Sequence, residues 1–439
     1  MDRFKTSSLK NIGTIGNFTD ISPLDFHEFD LPNKLHCILL KDSRIPMVNL
    51  LIGYNVGSKD EIKNKKGIAH LFEHLMFQGS ENIKKNEHFS QTSRLGGTCN
   101  AFTMQDATVY FDIVPSNNLE TILWLESDRM NSLDLSEENL ENQKKVVIEE
   151  KKQRFENAPY GSMMNNLFEN VFKNSAYEFP VIGFEEDIHS FTVKEALEFH
   201  ENYYSPENSV LILTGDIDIN HSKKLISKYF ADIKKNNKFQ RTGSQIAGIK
   251  ENKRIEIYDN IKLPMLCIAY QLPKAGSPEE YSMEYFSEII ANNKSSRLYK
   301  KLVYEKKLVR SVSCEKVMLK DGGILSLNAQ INPETDINTV EKEILDAVND
   351  IAINGCSDEE FGTIKNQLEF QNTAKYLKLI NISINTVFKY LYYKDISGVS
   401  NEINKYLSVT KDEMINSVKE YLQNRNSVTL TYLPMNLKK

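Results

Sequence analysis

The chain has 439 residues, 40% hydrophobic and 26% charged, the balance of a soluble globular protein long enough for two or three domains. Its 54 Lys and Arg against 60 Asp and Glu give a net charge of −6, which argues against general binding to nucleic acid or to an anionic membrane. No apolar run approaches the ~18 residues that a bilayer span needs, so membrane insertion is not expected.

Residues 1–20 contain no apolar stretch and are neither Arg-rich nor free of acid. Neither a secretory leader nor a mitochondrial presequence is expected there, which points to a bacterial cytoplasm, or to the periplasm if a leader has been removed upstream. A strand is predicted over Met47–Tyr54, followed by His70-Leu71-Phe72-Glu73-His74. On a helix, His70 and His74 lie one turn apart on one face and can grip a metal ion from the same side, with Glu73 beside them free to act as a base. The order is H-x-x-E-H, the reverse of the H-E-x-x-H zinc helix. The flanks Gly67-Ile68-Ala69 and Leu75-Met76-Phe77 are apolar, so the helix is expected to be buried, and a charge there needs a reason. The bland reading is a core helix with two hydrogen-bonded histidines. Gly96-Gly97 predicts a turn, and Cys99 to Phe102 opens an extended segment feeding a strand at 108–114. An extended peptide added to such a sheet edge would be held by its backbone; the alternative is a plain internal hairpin.

A metal site of this kind needs a third protein ligand. Residues 136–156 read as a helix, with Ser136 as N-cap and Glu137-Glu138 suited to its positive end. Gln143, Val146, Val147, Glu150 and Arg154 fall on one face, placing Glu150 among apolar neighbours; Glu149 falls with Lys145, Lys152 and Glu156 on a solvated stripe. Further strands are predicted at 209–214, Met265–Leu272, 324–331 and 427–432, and helices at 218–230, 279–292 and 336–354. A polar run from 234 to 245 reads as a linker or as a solvated loop, dividing the chain into 1–232, a 233–250 connection and 251–439. The halves share a weak repeat: Ile45-Pro46-Met47-Val48 with Gly57-Ser58 recurs as Leu263-Pro264-Met265-Leu266 with Gly276-Ser277. In the second copy Glu288 stands roughly where Glu73 does, but Tyr285 and Ile289 replace the histidines. The expected fold class is α+β, each half a mainly antiparallel sheet with helices on one face. The five cysteines (37, 99, 267, 314, 356) are scattered and never form CxxC, so they read as reduced thiols.

Several of these motifs together resemble the pitrilysin-like metallopeptidases of peptidase family M16. The resemblance rests on the 70–74 motif with Phe77-Gln78-Gly79-Ser80, and on Gly96-Gly97-Thr98-Cys99-Asn100-Ala101-Phe102-Thr103 with Asp106, Thr108 and Tyr110. It continues through Asn142 to Glu150, Asn157-Ala158-Pro159-Tyr160-Gly161, Val181-Ile182-Gly183 and Tyr203-Tyr204-Ser205-Pro206-Glu207-Asn208, and covers nearly the whole chain. It implies two homologous domains facing each other like a clam shell, a Zn²⁺ held by His70, His74 and Glu150, and Glu73 as the catalytic base. It also implies that Asn100 and Ala101 lie on the substrate edge, with Phe102 bordering the pocket beside the metal. Asp106 is either a partner of a ligand histidine or a turn-stabilising residue. Gln143 stands where many members carry a second Glu.

One departure bears on partners. Family members that work alone carry an Arg, and a Tyr seven residues later, that grasp the substrate carbonyl; here Val303 (or Tyr304) and Arg310 stand at those places. Such a donor is worth roughly 10²–10³ in rate. Members lacking the pair work beside a zinc-less homologous chain, so the expectation is a heterodimer; the alternative is that Tyr304 or Arg310 takes over in a single chain or homodimer. The function expected is a zinc endopeptidase acting on short or unfolded peptides. Two rival readings stand beside it: a catalytically silent structural subunit of a larger complex, and a presequence-processing subunit.

Overall fold

A computed structural model describes residues 24–62, 65–234 and 246–438. Residues 1–23 and most of the predicted linker lie outside them. The first sheet contains β1 (Phe26–Asp30), β2 (His36–Lys41), β3 (Met47–Tyr54), β4 (Thr98–Thr103), β5 (Thr108–Pro115) and β6 (Ser209–Gly215), in the order β1-β2-β6-β3-β5-β4. The second contains β7 (Lys253–Asp259), β8 (Met265–Leu272), β9 (Val309–Met318), β10 (Gly323–Ile331) and β11 (Val428–Pro434), in the order β7-β11-β8-β10-β9. Dropping β1 makes the two orders superimpose, each with one parallel pair (β2–β6, β7–β11) in an otherwise antiparallel sheet. The weak sequence repeat is therefore a repeat of topology. At the position of the metal helix the second half has Pro278–Ile290, where Tyr285 and Ile289 are buried and Glu288 accepts from Gln367 at 2.8 Å.

Strand alternation gives the first sheet two apolar faces. Leu50, Ile52 and Tyr54 face the core formed with helix α1 (Ile68–Leu75), whereas Leu51, Val109, Val210 and Ile212 face the other way. That second face is covered by a helix of the other half, Leu379–Tyr393, through Ile382, Val387 and Leu391. The approach is close: a Cβ on Gly53 would lie 2.5 Å from Val387 Cγ1. The exchange runs in both directions. After α2 (Glu87–Arg94), α3 (Leu119–Asn131) and α4 (Glu137–Lys151), helix α5 (Met163–Val171) of the first half packs Leu167, Phe168 and Val171 against Cys267, Ala269, Val428, Leu430 and Tyr432 of the second sheet. Each half thus puts its own helices on one face of its sheet and covers the other face of its neighbour's.

A buried polar latch joins the halves. Asp106, in the β4–β5 turn, is ion-paired to Lys59 and accepts from Tyr177 (2.8 Å), the Lys320 N–H (2.9 Å) and Tyr392 (3.3 Å). Lys59 also reaches Asp321 at 3.2 Å. The interface between the halves claims Asp106, rather than a ligand histidine or its own turn alone.

Candidate metal centre and substrate strand

Helix α1 starts without a side-chain cap, because Gly67 precedes it at φ 104°, a left-handed conformation suited to glycine. The fully buried carboxylate of Glu61 takes over, accepting Gly67 N–H (3.0 Å) and Ala69 N–H (2.9 Å). Burial pushes its pKa up to about 8. Ile68, Ala69, Leu71, Phe72 and Leu75 are buried, which fixes the face on which His70 and His74 project. Helix α4 runs past that face. Ser136 caps it by accepting from Asn139 N–H, and a π-helical turn over Lys152–Glu156 continues it.

The crossing of α1 and α4 brings three ligand atoms of His70, His74 and Glu150 within 4.8 Å of one another. Glu150 divides its oxygens. Oε2 lies 3.3 Å from His74 Nε2 and 3.9 Å from His70 Nε2, and Oε1 takes Arg154 Nη1 at 2.9 Å. Glu149 is exposed and accepts from its neighbour Gln153, as its stripe predicts. The expected apolar surroundings of Glu150 need correcting: Val147 and Gln143 are buried, but Val146 is 46% exposed and Arg154 points into solvent. The face is half wet because α4 lies at the rim of the first core, not within it.

These residues fit a zinc ion. Among the described residues, His70 Nδ1 is buried and makes no hydrogen bond, and Nε2 lies 3.9 Å from Glu150 Oε2, beyond hydrogen-bond distance, so the ring has room for a metal partner. Burial, reinforced by His74 and opposed by Glu150, lowers the His70 pKa to about 4, which keeps the imidazole neutral as a ligand must be. The Glu150 carboxyl is held below its ordinary range, first by its hydrogen bond with His74. Two imidazoles and one carboxylate are the donor set of an open catalytic zinc site.

Glu73 points from α1 toward β4. Its Oε2 accepts from Thr103 Oγ1 at 2.6 Å. Burial raises its pKa, while Thr103 and His74 pull it back. Strand β4 is an edge, paired with β5 on one side only. Asn100 is exposed and its Oδ1 accepts from Ala101 N–H at 2.9 Å. Ala101 packs toward the core beneath α1. Phe102 departs from the expectation. Alternation turns its ring to the opposite face of the sheet, where it stacks on Phe388 with centroids 6.3 Å apart, away from the metal side chains. Val303 packs in the second core, Tyr304 is 63% exposed, and Arg310 is exposed on β9; no bond joins any of them to the metal cluster.

A buried network behind β4 was not anticipated. Arg129 on α3 is paired to Glu126 and lies over the rings of Tyr110 (4.4 Å) and Phe77 (4.8 Å), while His88 meets Asp112 at 3.0 Å. The available signal was a lone Asp in the apolar strand Thr108–Pro115, and Glu126 and Arg129 spaced one turn apart within the buried helix α3.

Comparison with known proteins gives a consistent picture. The family description "Insulinase (Peptidase family M16)" matches residues 37–184, and "Peptidase M16 inactive domain" matches residues 190–368. A zinc protease, PqqE, of Helicobacter pylori is 26% identical over 402 residues, covering 90% of this chain and 89% of that protein. The crystal structure of a protease from Helicobacter pylori superposes with a TM-score of 0.87 at 25% identity, over 94% of this chain and all of the other. The periplasmic protease PqqL of Escherichia coli shares the fold (TM-score 0.78, 18% identity), with 94% of this chain matching 48% of that one.

Proposed function

The chain belongs to peptidase family M16, and from that premise we propose that it is a zinc-dependent endopeptidase hydrolysing short or unfolded peptides. The observation that carries the reading is the convergence of His70, His74 and Glu150 within 4.8 Å, with Glu73 hydrogen-bonded to the open strand beside them. His70, His74 and Glu150 would hold the zinc. When bound, zinc acidifies water and polarises the scissile carbonyl. Glu73 takes the proton of the attacking water and delivers it to the leaving amine; its raised pKa suits both halves of that transfer. The edge of β4 aligns the peptide backbone, which a folded protein cannot present.

The same reading includes a partner. The aligned Arg and Tyr are absent, so a zinc-less homologous chain completing a heterodimer is the arrangement proposed, with a homodimer as the alternative. Among the described residues no helix is long and apolar enough to cross a membrane. We propose the bacterial cytoplasm as its compartment, with the periplasm as the alternative. The five cysteines, all free and four of them buried, accord with that compartment. A silent structural subunit has no need of an unsatisfied histidine beside a carboxylate and a buried base. The test is zinc content together with cleavage of a quenched peptide library by the purified chain and by Glu73→Gln. Full zinc without cleavage, alone or with a homologous chain added, would remove the peptidase reading.

A further inference from the structure

A second group of metal-binding side chains shares no residue with the cluster of His70, His74 and Glu150. His88 comes from α2, Cys99 from β4 and Asp112 from β5, and one ligand atom of each falls within 4.8 Å of the others. Cys99 and Asp112 are cross-strand partners in the β4–β5 ladder. His88 reaches them from helix α2, which packs on β4, and its Nε2 lies 3.0 Å from Asp112 Oδ1. Metal bonds of about 2.0–2.3 Å in tetrahedral geometry set ligand atoms roughly 3.3–3.8 Å apart, so small side-chain shifts close this group around an ion.

The charges around the group do not balance. The Glu126 carboxyl stands against Asp112, and both residues are fully buried. Arg129 supplies one positive charge, and it is bonded to Glu126. Asp112 Oδ2 is buried and meets no hydrogen-bond donor among the described residues. Two adjoining carboxyls in a dry interior need a proton or a cation between them. A dication does this and also accepts the Cys99 thiolate, whose proton passes to solvent on binding; the buried charges then cancel. Imidazole, thiolate and carboxylate together make a zinc donor set. Cys99 is only half-buried, so an ion can enter from its side. We infer that His88, Cys99 and Asp112 form a second zinc site, which ties the edge strand β4 to β5 and to α2. This site stands independently of the endopeptidase reading.

The test uses full-length protein, stripped with a chelator, fully reduced and titrated with Co²⁺. Thiolate-to-cobalt charge-transfer absorption marks a cobalt–sulfur bond. The cluster of His70, His74 and Glu150 has no sulfur, and among the described residues the remaining cysteines lie in no such group. A second cobalt ion per chain is expected, and it should give the charge-transfer band. Zn²⁺ added afterwards should displace the cobalt and erase the band. Cys99→Ala should bind one ion fewer and show no band. His88→Gln keeps the thiol and serves if Cys99→Ala does not fold; it should weaken the band-forming site at least ~10- to 100-fold, the cost of losing even an outer partner of a metal ligand. His74→Ala should lose the other ion and keep the band. Absence of the band at saturating Co²⁺ in the reduced wild-type protein, or a band that survives in folded Cys99→Ala, overturns the site.

Discussion

Replacing Asp106 by Asn tests the idea that the two halves are locked by one buried charge. The carboxylate is fully buried, and both oxygens are used: Oδ1 by Lys59 and Tyr177, Oδ2 by the Lys320 N–H and Tyr392. An amide keeps the shape but has one accepting oxygen. In either orientation its NH₂ group meets a donor, Lys59 on one side or the Lys320 N–H on the other. A buried donor left unsatisfied costs about 1–3 kcal/mol. The Lys59 ammonium, 5% exposed, also loses its main counter-charge, and breaking a buried pair in this way costs about 3–5 kcal/mol when nothing replaces the lost partner. Here Asp321 remains 3.2 Å from Lys59 and is only a quarter exposed, so part of that loss is recovered. The expected net destabilisation is about 2–4 kcal/mol. Urea unfolding followed by the near-ultraviolet signal of the single tryptophan, with far-ultraviolet dichroism alongside, would measure it. Asp321→Asn should cost under about 1 kcal/mol, since that carboxylate is closer to water. An Asp106→Asn variant within 1 kcal/mol of wild type, or one less affected than Asp321→Asn, would refute the reasoning.

Glu150→Gln should sharply lower zinc occupancy and Glu149→Gln should leave it intact, as read by metal analysis of the dialysed proteins; the reverse order would mean that α4 presents its other face. Glu73→Gln should keep zinc and peptide binding while losing about 10²–10⁴ in kcat, and near-normal turnover would exclude it as the base. His88 is held neutral by burial, with a further push from Arg129, its pKa lowered to about 3 from an ordinary 6.5. Between those values the unfolded chain binds a proton that the native chain refuses, so stability falls as pH drops through that window. At pH 5 the loss is about 2 kcal/mol, and His88→Asn should reduce the fall in unfolding free energy between pH 7 and 5, measured by urea titration, by about that amount. Titrating a zinc-less homologous chain into this one should raise peptidase activity by roughly 10²–10³; full activity from the chain alone would dispose of the partner.

The metal centre was legible because its chemistry is local. His70, Glu73 and His74 sit within one helical turn and a half, and the separation of Glu149 from Glu150 needed only the helical period. The strands Met47–Tyr54 and Met265–Leu272 were legible to the residue, since Pro and Gly bound their apolar runs. What escaped was decided by the far half of the chain. Phe102 lies on β4 as expected, but the ring that receives it, Phe388, is 286 residues away in sequence. Asp106 read either as a partner of a ligand histidine or as a turn residue, because its partners Lys320 and Tyr392 are 214 and 286 residues away in sequence. Val146 falls on the predicted apolar face of α4, yet it is 46% exposed because that helix lies at the rim of the first core. The capping role of Glu61 was not legible, because its carboxylate reaches the Gly67 and Ala69 N–H groups from outside the helix.

The exchanged helices also impose a timetable on synthesis. The strands of the first sheet are complete once β6 has been made, but the helix Leu379–Tyr393 that covers its outer face follows about 170 residues later. At ribosomal rates of about 5–20 residues per second, Ile38, Leu51, Val109, Val210 and Ile212 stay bare for on the order of ten to thirty seconds. Helix α5 has the converse problem, emerging before the sheet it will cover exists. Neither half can finish in isolation, so vectorial, one-domain-at-a-time folding is closed to this chain. Its nascent form carries an apolar sheet face that stays open until the C-terminal helices arrive, and truncations ending near residue 234 should aggregate rather than fold.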